Sequence, residues 1–597
     1  MRGRLKTVKH LLRLSCRVYE NQGFRVLLKR IGAYASKNAK DFDLSSYGVW
    51  CKRIDAALLS DTCLSKISGW SERPFFSIIL PTYNTPVNWL DQAIGSVRSQ
   101  TYPNWELCIA DDASTSLDTV ARLRHFMSID RRIKVEFRQV NGHISQASNT
   151  AIGMASGDYL VLLDHDDILH PQALELVALK VFSNPAAAII FSDEDKIDEQ
   201  GVRTSPYFKS EFNYELFLSH NMISHLGVYK RSLVESVGGF RDEFVGSQDY
   251  DLALRCIEQT AVENIAHIPN VLYHWRIHDS GTAKSGDAKP YAKNAAIRAV
   301  GEHFARCCVA AMVENNPEAN GMHRLQFALP DTPPKVEIIF INWEKSLADT
   351  KAISEILKNT TYSNYDYQLL DLSSEIKESN VSAAIEVRQS HSVCSNFFHA
   401  LNVMALSADS TYVCFFDLAL RPLTERWLEE LVSQAIRPGI GCVGARLWNS
   451  NDCLAHAGIV IGMNGSAGFA HKDLPRHHSG YLGRAVLLQE FSALSMGCMV
   501  VQNDEFKALG GFDTEYAGAL AGVDFCLRIK QRSLRNIWTP NAELRYIAAS
   551  PTAPGFIQTD WDSVDIVRFK KRWVGCLNSD PAYSRNFVNQ APGFSHC

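Results

Sequence analysis

No C-x-x-C pair occurs among the fifteen cysteines of this 597-residue chain, and none has zinc-site spacing. Together with an odd count and no secretory signal, that points to reduced thiols in a cytoplasmic protein. The adjacent Cys307 and Cys308 are expected as small buried apolar residues. Long apolar runs are missing too. Nothing approaches the roughly 18 residues a membrane-spanning helix needs. Nor is there an excess of one charge: 61 basic residues face 65 acidic ones, a net of −4 with no bias toward nucleic acid. What remains is globular in composition, 46% apolar and 21% charged. The chain is too long for one ordinary core, so two domains with extensions are expected.

One local exception is the start. Residues 1–30 carry Arg2, Arg4, Lys6, Lys9, Arg13, Arg17, Arg25, Lys29 and Arg30 against the single acid Glu20. Arg13 and Arg17 interrupt the apolar stretch around Leu11, and no small-residue cleavage site follows, which argues against a secretory signal. Leu5, Val8, Leu11, Leu12 and Val18 could share one helical face. Two readings stand side by side: a helix lying peripherally on the inner face of an anionic membrane, or a solvated helix packed on the main body.

The strongest organisational signal is an internal repeat. TYPNWELCIADDAST at 101–115 is echoed by TYSNYDYQLLDLSSE at 361–375. Asn149, Tyr159 and Asp164 recur at the same intervals as Asn402, Tyr412 and Asp417. GGF at 238–240 precedes SQDYDLALR, and GGF at 510–512 precedes LAGVDFCLR. A period this long means duplicated domains, not a solenoid. Each copy opens on an apolar run that reads as a buried strand, Phe76–Leu80 and Val336–Ile341. Helical patterns such as Trp89–Arg98 alternate with further strands at Glu106–Ala110 and Tyr159–Leu163. This alternation predicts α/β units on a mostly parallel sheet, Rossmann-related, with ligands beyond the carboxyl ends of the strands. Pro330–Pro334 is the linker candidate.

Three acidic clusters follow these strands or open helices. Asp111-Asp112 could accept hydrogen bonds from a base or ribose, or could simply cap a helix. Asp164-His165-Asp166-Asp167 crowds carboxylates that repel unless a cation or hydrogen bonds offset them. A hard divalent ion would do so while holding a diphosphate; a solvated acidic turn is the alternative. Asp249 and Asp251 open a helix, where the dipole accounts for Asp251 better than for Asp249. The spacing of HWRIH keeps His278 as a candidate ligand. The run Ser192–Lys196 reads as a turn on the acceptor side.

FSIILPTYN, YPNWELCIADDAST, GDYLVLLDHDD and GSQDYDLALR, in that order, closely resemble the family 2 glycosyltransferases of the GT-A fold. The two-copy layout resembles bacterial enzymes of surface-polysaccharide and O-antigen synthesis, often labelled rhamnosyltransferases. The resemblance runs from about Pro74 to Trp573. It implies two tandem GT-A-like domains behind an N-terminal helical extension: 1–73 extension, 74–310 catalytic domain, 311–334 linker, 335–575 second domain, 576–597 tail. It also implies roles. Pro81, Thr82, Tyr83, Asp111, Asp112 and Asp164 would bind a UDP- or dTDP-sugar donor. Asp164, Asp166 and His278 would hold Mn²⁺ or Mg²⁺, and Asp249 would be the catalytic base of an inverting transfer. The acceptor would be a glycan or lipid-linked oligosaccharide.

The second copy departs where chemistry is expected. Leu372 stands for Asp112, Asp417-Leu-Ala-Leu for the acidic cluster, and Gly522 for Asp249, while Asp524 and Arg528 still match Asp251 and Arg255. It reads as a structural or acceptor-binding module, with His456 and His471 read as packed or acceptor-contacting ahead of a role as ligands. Two rivals remain open. One is a non-catalytic glycan-binding scaffold. The other is a nucleotidyltransferase, which would favour a glycine-rich basic loop that PTYNTP at 81–86 does not provide.

Overall fold

The computed structural model describes residues 44–60, 73–278, 290–342, 350–371, 397–547, 562–587 and 594. The basic start of the chain and Leu372 lie outside the described residues. The first described element is helix α1 (Leu44–Ser60).

In the first copy, strands β1 (Phe76–Thr82), β2 (Trp105–Asp111), β3 (Ile133–Phe137) and β4 (Tyr159–Leu162) pair in parallel in the order β3-β2-β1-β4. Every residue of β1 and β2 is buried, as continuous apolar runs in a sheet covered on both faces should be. The crossovers are helices α2 (Val87–Arg98), α3 (Leu117–Ile129) and α4 (His143–Gly153). The sheet continues through β5 (Ile168–Leu169), β6 (Ile189–Ile197), β7 (Arg203–Tyr207), β8 (Gly227–Lys230) and β9 (Ile265–Arg276). Its order beyond β4 is β8-β6-β9-β5, with β7 on β6. β8 runs antiparallel to both β4 and β6, so the sheet is parallel-rich but mixed. Helices α5 (Ala173–Ser183), α6 (Tyr214–Ser219), α7 (Arg231–Ser236), α8 (Gln248–Ile257) and α9 (Pro290–Arg306) complete the domain.

The second copy repeats this winding. Val336–Asn342, Tyr365–Asp371 and Tyr412–Asp417 pair in parallel, and Cys498–Gln502 lies antiparallel on the last of them. Ile440–Trp448 and Arg535–Tyr546 take the places of β6 and β9. The α/β architecture of two related sheet domains is thus the one expected.

Several details differ from expectation. Ser192–Lys196 is no turn: it lies within β6, and four of its five residues are buried. Cys307 and Cys308 are exposed, because α9 ends at Arg306 and the pair falls in the turn beyond it. Segment 311–334 carries an antiparallel hairpin, Ala311–Asn315 with His323–Phe327.

The two copies are locked together. Glu215 of α6 is fully buried and accepts from Arg437 at 2.6 and 2.8 Å and from Arg535 at 2.6 Å. Asn213 exchanges hydrogen bonds with the backbone of Glu490 at 3.0 and 3.1 Å. The Tyr481 hydroxyl donates to Pro206 O at 2.8 Å and accepts from Phe208 N at 2.9 Å. Residues of the C-terminal stretch join in, with Asn586 Nδ2 donating to Asp193 Oδ2 at 2.8 Å.

Candidate active site

The carboxyl ends of β1, β2 and β4 open on one side of the sheet, and the predicted residues collect there. Thr82 ends β1 and pairs in register with Asp111 at the end of β2. Asp111 Oδ2 accepts the Ser114 backbone N–H at 3.0 Å. Asp112 accepts Gly142 N–H at 3.0 Å and faces Arg138 Nε at 3.2 Å. Neither caps α3, since Ser116 does so by accepting Thr119 N–H at 3.2 Å. Both carboxylates are buried, while Tyr83 beside them is 47% exposed. Pro81 is buried within β1.

The acidic cluster after β4 divides its labour. Asp167 is fully buried, accepts the Tyr273 hydroxyl at 2.6 Å and the Arg276 N–H at 2.8 Å, and holds the turn. Burial, then the charges of Asp166 and Asp164, push its carboxyl well above the usual range. Asp164 and Asp166 face the cleft, their side chains 45% and 17% exposed. His278 follows β9, and its Nε2 lies 2.7 Å from Asp166 Oδ2. Trp89 of α2 packs on its ring at 4.6 Å. Asp166 thus meets His278, whereas the ligand atoms of Asp164, Asp167 and His225 lie within 4.8 Å of one another, and this carboxylate-rich donor set fits a hard divalent cation.

Asp249 sits in the first turn of α8, where the helix N-terminus favours its anion. Burial outweighs this and raises its carboxyl above the ordinary value; His225 lowers it and Asp164 raises it further. Asn221 Nδ2 donates to its Oδ2 at 2.8 Å. Asp251, two residues on, is fully buried between Arg241 and Arg255 and holds the scaffold instead.

Three residues of this site escape sequence reasoning: Asn221, His225 and Glu194. His225 Nδ1 lies 3.1 Å from Glu194 Oε2, its Nε2 lies 4.0 Å from Asp164 Oδ2, and its ring stacks on Tyr273 at 4.6 Å. Burial would lower its imidazole, but Glu194, Asp164 and Asp167 outweigh this and hold it up at about 9. Burial would likewise raise Glu194, and Lys209 and His225 hold it down at about 2. The only sequence signal was a charged run, SDEDK, directly after the apolar AAAIIF at 186–191. In the second copy, His456 and His471 are buried, the first tilted against Phe469 and the second stacked on Phe594.

Paired carboxylates thus stand at one strand end, with a further one at the start of α8. Residues 77–238 match the family model described as glycosyl transferase family 2. Among curated relatives, the chain is 38% identical over 533 residues to an uncharacterised protein of Sinorhizobium fredii, covering 87% of this chain and 58% of that one. It is 30% identical over 551 residues to the O-antigen biosynthesis protein RfbC of Myxococcus xanthus, covering 91% and 42% respectively. The chain thus spans about half the length of these relatives. Among solved structures, Staphylococcus aureus TarS (residues 1–349) in complex with UDP-GlcNAc aligns at a TM-score of 0.32 and 18% identity, covering 38% of this chain and 66% of that one. Among the described residues no helix is long and apolar enough to cross a membrane.

Proposed function

We propose that the first domain transfers a sugar from a nucleoside-diphosphate donor, UDP- or dTDP-linked, to a glycan or lipid-linked glycan in surface-polysaccharide synthesis, with inversion at the anomeric carbon. The observation that carries this reading is the gathering of carboxylates after β4, Asp166 against His278 and Asp164 beside Asp167 and His225, with Asp249 near enough to feel the charges of Asp164 and His225. The match to the glycosyl transferase family 2 model and the relative named for O-antigen synthesis support it.

Thr82, Asp111 and Asp112, with Pro81 and Tyr83 beside them, would receive the base and ribose. Asp164, Asp166 and His278 would hold Mn²⁺ or Mg²⁺. When bound, the ion neutralises charge on the departing diphosphate. Asp249 takes the proton of the acceptor hydroxyl. That oxygen's electron pair forms the new bond to the anomeric carbon, and the old carbon–oxygen pair leaves with the diphosphate. One displacement inverts the centre, and no protein nucleophile is required. The second domain supports the first or binds acceptor, but does not transfer.

The test is a panel of sugar nucleotides offered to the purified chain with and without Mn²⁺ or Mg²⁺. Release of free nucleoside diphosphate by wild type, and its loss in Asp249→Asn with donor binding kept, is the expected result. Pyrophosphate release would mean nucleotidyl transfer, and no turnover of any donor would leave a glycan-binding scaffold.

A further inference from the structure

We infer that Asn221 is a positioning residue for Asp249, holding one carboxylate oxygen so that the other is presented to the acceptor hydroxyl. The inference rests on the reading of Asp249 as the base.

Asn221 lies on the short segment between α6 and β8. Its Nδ2 donates to Asp249 Oδ2 at 2.8 Å, and its Oδ1 accepts the backbone N–H of Ile223 at 3.2 Å. The second bond fixes which end of the amide faces Asp249, because a backbone N–H can only donate and a carboxylate can only accept. Asn221 therefore cannot flip without losing both bonds. The segment itself is held at each end. Upstream, α6 is gripped by the second domain through Glu215 and through Ser219 Oγ, which donates to Leu488 O at 3.4 Å. Downstream, β8 is paired on both sides, by β4 and β6.

The duplicated copy supplies an internal comparison. Sheet register aligns Val228 with Val500, since their partners Val161 and Cys414 are equivalent. At the same distance before that strand as Asn221, the second copy has Ala493, and at Asp249's position it has Gly522. The amide and the carboxylate it orients have gone together, whereas the scaffold pair Asp524 and Arg528 remains.

The groups that face Asp249 are His225 from the same segment, Asp164 from the turn after β4, Tyr229 from β8 and Tyr250 beside it on α8. Against that background an amide donor favours the anion of Asp249 and fixes its direction. Two variants of the full chain test this, assayed as nucleoside-diphosphate release against pH with the sugar nucleotide turned over fastest in the panel. In Asn221→Asp a second carboxylate replaces the donor. The acid limb of kcat is expected to move up by about one pH unit, with kcat at neutral pH down about tenfold and donor KM within about twofold. Asn221→Ala, which introduces no charge, should move the limb in the same direction by less. A merely structural asparagine would lower the amount of folded enzyme and leave the limb where it was. If Asp249→Asn is inactive while both Asn221 variants keep the wild-type limb and kcat, the inference about Asn221 is overturned and the base survives. If Asp249→Asn turns over normally, or no donor is turned over, the reading of Asp249 fails and takes the inference with it.

Discussion

The two copies keep the same braces and differ in what the braces hold. In the first, Asn149 clamps Phe240 through its backbone N–H and C=O, both at 2.8 Å; in the second, Asn402 does the same to Phe512 at the same distances. Arg255 ties Asp251 to the carbonyls of Val237 and Gly239, and Arg528 ties Asp524 to those of Leu509 and Gly511. The Tyr102 and Tyr362 hydroxyls donate to the carbonyls of Pro74 and Pro334. Register then shows what stands at the site. Glu194 and Tyr273 are directly paired across β6 and β9; the equivalent pair is Leu447 and Leu544. His225 corresponds to Gly497, three residues before the aligned valines. Where Asp249 stands the second copy has Gly522, and a Cβ there would come within 2.5 Å of Met496 Cγ. Polar lining has been exchanged for packed apolar side chains. A carboxylate cluster is costly to bury unless something offsets its charge, and apolar side chains filling the space remove that cost.

The sharpest way to break this comparison is to remove one carboxylate from each copy. Asp166→Ala should lower nucleoside-diphosphate release by about 10³-fold, the scale of losing a main charge-stabilising contact. Asp417→Asn, at the one carboxylate left in the second cluster, should leave turnover within about twofold of wild type. It accepts the Ala419 N–H at 3.0 Å, and an amide oxygen can keep that bond. A comparable loss from Asp417→Asn would mean the second copy is chemically active.

The copies are also coupled mechanically. Glu215 sits in the first, and both its guanidinium partners, Arg437 and Arg535, sit in the second. Glu215→Ala would take a buried carboxylate from two partly buried guanidiniums, a change that costs about 3–5 kcal/mol for a fully buried pair and less here, where Glu490 stays 3.6 Å from Arg535. Urea unfolding followed by tryptophan fluorescence should show a lower midpoint. If the second copy only decorates the first, the midpoint will not move. A smaller effect of about 2–3 kcal/mol is expected from Gly522→Asp, because the new side chain meets Met496. Pairing it with Met496→Ala should recover much of that loss. Failure to recover would show that the position has lost more than room.

How much of this was readable in the sequence depends on whether a feature is contiguous. β1, β2, β4 and the carboxylates at their ends are each one short run, and the chain order of those runs is enough to place Thr82, Asp111, Asp164 and Asp166 on one edge. Glu194 and His225 belong to no such run. They meet because β8 pairs with β6, a contact no local pattern encodes. The run SDEDK reads as a turn on the acceptor side because its charges need partners that lie far away in the chain. Asp193 finds His267 and Asn586, Glu194 finds Lys209 and His225, and Asp195 finds Tyr47, Arg203 and His274. Cys307 and Cys308 were misplaced for a simpler reason: helix α9 ends at Arg306, directly before them.

A last difference separates the copies by pH. The helix that carries Asp249 is braced from α9 through Glu258, which lies 2.7 Å from His303 Nδ1 and pairs with Arg306 at 2.7 Å. The equivalent helix of the second copy, Leu520–Gln531, ends in the neutral Gln531 and is braced through Asp524 by Arg572 and Trp573. Burial would raise Glu258, but His303 and Arg306 outweigh it and hold its carboxyl down at about 2, against an ordinary 4.5. A depressed carboxyl contributes stability above its unfolded value and loses it as pH falls through the folded one. Glu258→Gln should therefore melt below wild type at pH 7, by no more than about 1 kcal/mol given the partial exposure of the pair. That gap should close between pH 4.5 and pH 2, whereas Gln531→Ala should show no such dependence. A Glu258→Gln gap that stays constant from pH 7 to pH 3 would mean the brace acts through shape and not through charge.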